Sequence, residues 1–397
     1  MKPTLEKGSS FRKVVLLMSM LSGAPYPQMA RAASFVDPSA VVQGNVTMGD
    51  LVYVAPFATL LAGEKKITIG EASNVQDSAT LDASNGNIKL GEQAIVAHGA
   101  TVKGPARIGK SGRCPTDDPC PSFVGFNAEV GGSVQKDAMV GHLARVARGV
   151  VIRSGLKVLP GKNVTNKDQA TDPVLGKVAA VTAADRMFME GVIEVNEAFA
   201  DDYDTMKIAD PNDVHGIGPA PITDFNEGDT PQSNCTDLDM PTCAQDMPNA
   251  GFRNRIIGDV RLRNTEAQLD DLMGSKISVR GDEGEPFKVG TIAYMDSRVT
   301  FHALEHTHIT LGNNGRYDYH SLVHGGPNTF NGNTTQAGDG FKLGAHAVFF
   351  NSRVGDNSRV GFKTVVLNSD FGANPTTIGD CKIVSNGAQI GDVEWCY

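Results

Sequence analysis

The chain has 397 residues and carries 36 lysines and arginines against 45 acidic residues, a formal net charge of −9. That balance excludes a protein that binds nucleic acid through a general excess of positive charge. At roughly 150 residues per domain, the length indicates two domains or more. The 44 glycines and the low aromatic content of 6% favour short strands joined by tight turns over a helical bundle.

The first 32 residues have the pattern of an export signal. Arg12 and Lys13 precede an apolar run over residues 14–21, and a small-x-small site ends at Ala32. The run is far shorter than the ~20 residues that span a bilayer. We therefore predict a signal peptide over residues 1–32, a periplasmic or secreted protein, and no membrane span.

Six cysteines fall into three pairs that are close in sequence, none of them with CxxC spacing. An even number of cysteines in an exported chain indicates disulfides, although six cysteines allow 15 pairings. Proximity favours three local disulfides, which are Cys114–Cys120, Cys235–Cys243 and Cys381–Cys396.

Apolar residues recur every six positions, in paired series offset by two residues. A first region contains Ala40, Val46, Val52 and Ala58 with Val42, Met48, Val54 and Leu60, then Ile88, Ala94, Ala100 and Ala106 with Leu90, Val96, Val102 and Ile108; a later run is Val348, Val354, Val360 and Val366. A six-residue period does not fit a helix, but it fits a short strand and a turn on each face of a triangular prism. The pattern therefore predicts parallel β-helices of the hexapeptide type.

The residues between the repeat regions have a different character. Apolar residues at helical spacing from Ala183 to Tyr203 predict an amphipathic helix that packs on the first β-helix. Six prolines in an acidic stretch predict an irregular linker. The predicted organisation is a signal peptide (1–32), a first β-helix with its helix (33–208), the linker (209–249) and a second β-helix (250–397).

Five of the nine histidines lie between positions 302 and 324. His302, His320 and His324 fall in separate turns of the repeat, so they can converge in space. Neutral imidazoles are good zinc ligands, and three of them leave a fourth position for water. Charged groups that can take up a proton or orient an anion stand near them: Arg280, Asp282, Glu283 and Glu305. The alternative interpretation of residues 281–284 is a solvated turn.

Segments of the first repeat region resemble γ-class carbonic anhydrases. These segments are Phe35–Val42, Ser73–Asp77, Ala97–Ala100 and Glu190–Asn196. The family forms trimers of left-handed β-helices with zinc at the subunit interfaces. The resemblance implies the same fold here, a homo-oligomer with a trimer favoured, and substrate contacts from Asn74, Gln76 and Asn196.

The first copy nevertheless lacks most of the family's metal ligands. Asp82 and Lys103 stand where the first and third ligand histidines are expected, and only His98 remains, in the second position. A lysine ammonium group repels a metal cation, so we expect no zinc site from this copy alone.

The second copy keeps the segments that the first has lost. Residues 278–287 resemble the family's Arg-x-Asp-Glu segment, residues 302–305 its first ligand with a nearby acid, and residues 319–325 the segment with the other two ligands. The resemblance implies His302, His320 and His324 as metal ligands and Arg280, Asp282, Glu283 and Glu305 as catalytic residues. The family spaces its last two ligands by five positions, whereas His320 and His324 are four apart.

Two ligand sets stay open, because sites of this family take two ligands from one β-helix and the third from its neighbour. One set joins His302 and His324 of the second copy to His98 of the first. The other set uses His302, His320 and His324 of like copies. Zn²⁺ is the expected metal, with Fe²⁺ as the alternative.

Three functions follow from these observations. The resemblance predicts an exported zinc carbonic anhydrase that interconverts CO2 and bicarbonate by means of a zinc-bound hydroxide. The ligands lost from the first copy leave a second hypothesis, a non-catalytic binding or scaffold protein. A third is an acyltransferase, since hexapeptide β-helices often bind CoA and use a single histidine, and fold alone does not decide function.

Overall fold

The protein is mainly β, with two left-handed parallel β-helices and a long α-helix after the first. The computed structural model describes residues 34–114, 120–209, 242–243, 253–258, 260–264, 266–282, 287–304 and 307–397. None of the helices in that part of the chain is long and apolar enough to cross a membrane. The predicted signal peptide, most of the predicted linker and the side chains of Cys235, Glu283 and Glu305 lie outside the described residues.

Each full coil of the first β-helix contributes one short strand to each of three faces, named A, B and C. Face A contains Phe35–Val36, Tyr53–Val54, Asn74–Val75, Ala94–Val96, Ser122–Val124, Met139–Val140 and Leu156–Val158, with Val178–Ala180 antiparallel at its end. Face B contains Thr80–Asp82, Thr101–Lys103, Glu129–Val130, Arg145–Val146 and Asn163–Val164, and face C contains Ile88–Leu90, Ala106–Ile108, Ser133–Val134 and Val151–Ile152. The longer strands Val41–Met48 and Thr59–Ile69 run around the corner and join faces B and C into one sheet.

A column of valines fills one side of the interior of the first β-helix. On face A the parallel register aligns Val54, Val75, Val96, Val124, Val140 and Val158 on successive coils. All six are at most 1% exposed, because each coil places the same apolar position above that of the coil before. The predicted hexapeptide repeat is thereby confirmed. The end coil departs from it: Val42 is 42% exposed, since its strand has a neighbour on one side only.

Helices cover part of the first β-helix. Helix α1 (Lys167–Thr171) and a 3₁₀ turn (Pro173–Leu175) precede the long helix α2 (Ala183–Ala209). Thr182 and Asp185 cap the start of α2 reciprocally, each accepting the other's backbone N–H, which is a capping box with aspartate in place of glutamate. The predicted helix is confirmed, and Val192 and Phe199 of its apolar side are buried against its neighbours. Met187, which the spacing placed on the same side, is instead 66% exposed.

The second β-helix has the same three faces, named A′, B′ and C′. Face A′ contains Ile292–Met295, Gly315–Tyr317, Lys342–Leu343, Arg359–Val360 and Thr377–Ile378. Face B′ contains Arg255–Gly258, Ser278–Gly281, Thr300–Ala303, Leu322–Gly325, Val348–Phe350, Val365–Leu367 and Lys382–Ser385, with Ala388–Asp392 antiparallel at its end. Face C′ contains Val260–Leu262, Phe287–Val289, His308–Leu311, Thr334–Ala337 and Arg353–Val354, with Thr242–Cys243 antiparallel at its start; the short helix α3 is Glu266–Leu272.

The two β-helices pack side by side within one compact unit over residues 33–397. The corner between faces A and B of the first lies against face B′ of the second. Asn127 at this corner donates from its amide nitrogen to the backbone oxygens of His320 and His346, at 3.1 and 3.2 Å. Towards the first coils, Asp37 pairs with Arg255 at 2.9 Å. The interface therefore combines apolar packing with buried polar contacts.

Two of the predicted disulfides are present in the described residues. Cys114 is bonded to Cys120, and Cys381 is bonded to Cys396. The pairing predicted for Cys243 involves Cys235, which lies outside the described residues.

Candidate metal centre

Three polar side chains of face B′ lie above one another because their coils have the same length. Arg280, His302 and His324 are 22 residues apart in turn, and the parallel register pairs each with the next. Nδ1 of His302 consequently lies 3.2 Å from Nε2 of His324. All three side chains are buried, so the column faces the first β-helix and not solvent.

His98 approaches this column from the first β-helix. It lies in the turn after Ala94–Val96, at the corner between faces A and B. Its ring centre is 5.0 Å from that of His302 and 5.2 Å from that of His324. One ligand nitrogen from each of the three histidines lies within 4.8 Å of the other two. The geometry thus brings together the ligand set that draws on both β-helices.

Polar contacts indicate which nitrogen is free to bind a metal in two of the three imidazoles. Nδ1 of His324 lies 2.6 Å from the backbone oxygen of Gly325, and because a carbonyl only accepts, that nitrogen carries the proton. Nδ1 of His98 lies 3.1 Å from Oδ2 of Asp77, a close polar contact without full hydrogen-bond geometry, and the carboxylate favours a proton on that nitrogen. In both rings Nε2 then keeps its lone pair, as in the carboxylate–histidine–metal arrangements of known metal sites.

Burial favours the uncharged form of His302 and His324. Burial lowers the pKa of His302 well below its ordinary value, and the neighbouring positive charge of Arg280 lowers it further. Burial also lowers the pKa of His324. Since a metal binds the neutral imidazole, protons compete weakly for these two side chains near neutral pH.

A buried charge network supports His98. Arg280 donates to Asp77 at 3.0 Å and to Asp282 at 2.9 Å, and all three groups are almost completely buried. Burial alone would raise the pKa of Asp77, but Arg280 and the hydrogen bond from His98 hold it well below its ordinary value. Separating Asp77 of the first β-helix from Arg280 of the second would leave two uncompensated buried charges. The network therefore holds the two β-helices together beside the cluster.

Helix α2 completes this network from a third side. Tyr203 donates its hydroxyl proton to Asp282. The guanidinium of Arg280 lies 4.7 Å from the ring centre of Phe199 and 5.5 Å from that of Tyr53, within the range of a cation–π contact. Arg280 is therefore fixed by two carboxylates and two aromatic rings.

A small cavity opens beside the three histidines. Its volume of about 20 Å³ has room for roughly one water-sized molecule. Polar groups on its wall come from Gln76 and Asn196 together with the histidines, and the rest of the wall is apolar: Phe123, Phe126, Phe188, Val192, Val195 and Leu304. The cavity thus offers a site for a very small molecule between polar and apolar groups.

Several predicted site residues lie elsewhere. Nδ1 of His320 lies 3.2 Å from Nδ1 of His346, at the corner of the second β-helix, and burial lowers the pKa of His320 to about 3. Asn74 is buried on face A but is not one of the residues that line the cavity. Asp282 belongs to the arginine network. Glu283 and Glu305 lie outside the described residues.

In the first β-helix, charged residues occupy the two positions where the resemblance leads one to expect ligand histidines. Asp82 and Lys103 are paired in register on face B. Lys103 donates to Glu129 at 2.7 Å, and Arg145 donates to the same carboxylate at 2.9 Å. A surface ladder of charges therefore occupies the face that corresponds to the histidine column of the second β-helix.

Three residues that shape the site carry no recognisable signal in the sequence. Asp77 directly follows Gln76, and its position beside His98 depends on coil stacking. Tyr203 is the last residue of the predicted helix. Phe126 stacks on His98 and His324 with ring centres 5.5 and 5.0 Å apart. The equal 22-residue spacing of Arg280, His302 and His324 was the available signal for the column.

No protein-family model and no curated protein matches the chain. The solved structure of a hexapeptide transferase family protein from Anaplasma phagocytophilum is similar over 43% of this chain and 89% of its own, with 17% identity and a TM-score of 0.35. The strands and registers described above therefore define the fold. The chain is a tandem hexapeptide-repeat, left-handed β-helix protein with a buried cluster of three histidines between its two β-helices.

Proposed function

We propose that the protein is an exported carbonic anhydrase whose metal is held by His98, His302 and His324. The observation that carries this proposal is the convergence of three buried histidines from two β-helices, with ligand nitrogens within 4.8 Å of one another. The segments resembling γ-class carbonic anhydrases supply the reaction class. Export and a trimer stay predictions from the sequence.

The donor set suits Zn²⁺, with Fe²⁺ as the alternative. Three neutral imidazoles are a ligand set of catalytic zinc sites that keep one position open. A zinc ion bound here would lower the pKa of a bound water to about 7 and supply hydroxide as the nucleophile. Asp77 and the backbone oxygen of Gly325 hold the rings of His98 and His324 in the tautomers that the metal needs.

The remaining cavity residues have roles that suit CO2 and bicarbonate. Phe123, Phe188 and Val192 form an apolar wall against which an uncharged linear molecule can lie. Gln76 and Asn196 offer amide groups on the polar side, where the oxygens of bicarbonate would develop charge. Arg280 acts indirectly, because its guanidinium is already paired with the carboxylates of Asp77 and Asp282. Its role is to position Asp77.

The second candidate is a non-catalytic binding or scaffold protein. It is favoured by the charged contacts of Lys103, Glu129 and Arg145 on face B, where the resemblance leads one to expect ligand histidines. An acyltransferase is the third candidate, and it would need a channel for the CoA arm much larger than the cavity of about 20 Å³ beside His98.

The test is metal content and CO2 hydration of the mature, oxidised chain. We expect one zinc per chain and hydration measurable by stopped flow. His302→Ala should remove both, whereas His320→Ala is the matched control, since His320 lies outside the cluster. Zinc binding without hydration would leave the scaffold function, and a zinc content unaffected by His302→Ala would refute the proposed centre.

A further inference from the structure

The last residues of the chain leave the second β-helix and lie on the first. The indole N–H of Trp395 donates to the backbone oxygen of Leu143 at 2.6 Å. The backbone N–H of Glu394 donates to the oxygen of Gly161 at 2.9 Å. We name residues 393–396 the C-terminal strap, because they connect the two β-helices a second time.

The side chain of Glu394 strengthens this attachment. Its carboxylate accepts the backbone N–H of Asn163 and the ammonium group of Lys177, both at 2.8 Å, and Lys162 lies 3.4 Å away. These partners all belong to the first β-helix and its following strand. A single carboxylate from the second β-helix thus bonds to a backbone amide and two cations of the first.

On the other side, the strap is anchored to the second β-helix by the disulfide Cys381–Cys396. Both cysteines are buried in the interface. Lys363 donates to the backbone oxygens of Trp395 and Cys396 at 3.2 Å, and its ammonium group lies 4.3 Å from the centre of the indole ring. The disulfide is the covalent part of an otherwise non-covalent anchor.

The histidine cluster lies between this strap and the ionic contacts at the other end of the interface. Backbone hydrogen bonds connect the corner turns of His98, Phe126 and His142 from one coil to the next. Leu143, which the strap contacts, is therefore two coils from His98, a separation of about 10 Å. The pairs Asp77–Arg280 and Asp37–Arg255 lie in the coils on the opposite side.

We propose that the C-terminal strap is a disulfide-dependent lock on the metal centre, so that reduction of Cys381–Cys396 weakens metal binding at the histidines. The inference rests on the proposed metal centre, and it adds the regulation of that site. With the strap released, the β-helices stay joined at the ionic end, while the other end is held only by apolar packing and the hydrogen bonds of Asn127. Looser docking at that end moves His98 away from His302 and His324.

The chemistry is an ordinary thiol–disulfide exchange with a dithiol reductant. The bond between the sulfurs of Cys381 and Cys396 breaks and each becomes a thiol, while the dithiol loses two electrons and two protons and becomes a disulfide. The apparent metal affinity then falls in proportion to the fraction of molecules whose β-helices remain docked.

The experiment measures Co²⁺ binding to the metal-free, mature, oxidised chain by its visible absorption. The strap variant is Cys381→Ser/Cys396→Ser, and the matched control is Cys114→Ser/Cys120→Ser, which removes a disulfide confined to the first β-helix. We expect the strap variant to bind Co²⁺ about tenfold more weakly if about a tenth of the molecules stay docked, and the control to bind as the wild type does. Wild-type protein reduced with dithiothreitol and desalted should match the strap variant.

The single tryptophan of the chain reports the strap directly. Release of Trp395 from Leu143 should shift its fluorescence to longer wavelength in the strap variant while circular dichroism stays unchanged. Unaltered Co²⁺ affinity in a folded strap variant would overturn the lock. If that variant fails to fold, Glu394→Gln is the deciding variant, because it keeps the disulfide and weakens the contact with Lys177. It should bind Co²⁺ a few-fold more weakly than the wild type. Wild-type affinity in Glu394→Gln would count against the lock.

The outcomes separate the lock from the proposed reaction. Wild-type protein that binds Co²⁺ but does not hydrate CO2 as the zinc form would refute the carbonic anhydrase and leave the lock to be judged on affinity alone. Wild-type protein that binds no Co²⁺ would refute both.

Discussion

Gly99 directly follows His98 and lies at the interface of the two β-helices. Its φ of +69° is in the left-handed region, and a Cβ atom there would overlap the side-chain oxygen of Asn127 and lie 2.9 Å from Nε2 of His320. The absence of a side chain leaves room for Asn127 of the next coil and for His320 of the second β-helix.

We predict that Gly99→Ala destabilises the protein by about 2–4 kcal/mol, from a strained backbone and an overpacked interface. The free energy of unfolding in urea measures the effect. Gly149→Ala is the matched control, because Gly149 has a similar φ of +78° and no atom within 4 Å of the added Cβ. The prediction is wrong if both variants lose the same stability.

At the scale of an element, the C-terminal strap should respond to acid. Burial raises the pKa of Glu394, but hydrogen bonds from Asn163 and Lys177 outweigh it and lower the pKa below its ordinary value. A carboxylate with a lowered pKa stabilises the folded form above its unfolded pKa of about 4.3, and this contribution is lost as the pH falls through the folded value.

We therefore predict that the fluorescence of Trp395 changes in acid, below about pH 4, as Glu394 takes up a proton and the strap detaches. The measurement is a fluorescence titration beside a circular dichroism titration of the same sample. In Glu394→Gln, the strap lacks this carboxylate and the step should disappear. A step of equal size in that variant would show that another group controls the strap.

Strands and their faces could be predicted from the sequence because each coil repeats one local pattern. Val54, Val96 and Val102 were placed in the repeat by spacing alone, and they are buried in the interior. The exposure of Val42 could not be predicted in this way, since it depends on where the stack of coils begins. Periodicity describes a coil with neighbours on both sides and not the end of a stack.

Across the whole molecule, metal binding and the docking of the β-helices should be coupled. A ligand that binds only the docked form stabilises it by about 2.7 kcal/mol at a hundred times its Kd. We predict that Zn²⁺ raises the Tm of the metal-free protein and that a chelator reverses this. His302→Ala should abolish the shift in calorimetry, and His320→Ala should keep it. Equal shifts in both variants would place the metal elsewhere.

The site could be predicted from the sequence only in part, because its ligands come from two distant parts of the chain. His302 and His324 share a face, and their 22-residue interval follows from the length of one coil. The third histidine depends on how a corner packs against face B′, which local patterns do not specify. His98 and His320 were therefore both open candidates for the third ligand. Asn127, which donates to the backbone oxygen of His320, belongs to the corner whose packing decides between them.

The tandem arrangement has a consequence for how the site behaves on dilution. A site shared between separate subunits dissociates as the protein becomes scarce, because its assembly is bimolecular. Here His98, His302 and His324 belong to one chain, so their encounter is intramolecular and has a constant effective concentration. A protein of this design keeps its histidine cluster assembled in a single molecule, even at concentrations where a second copy is rarely met.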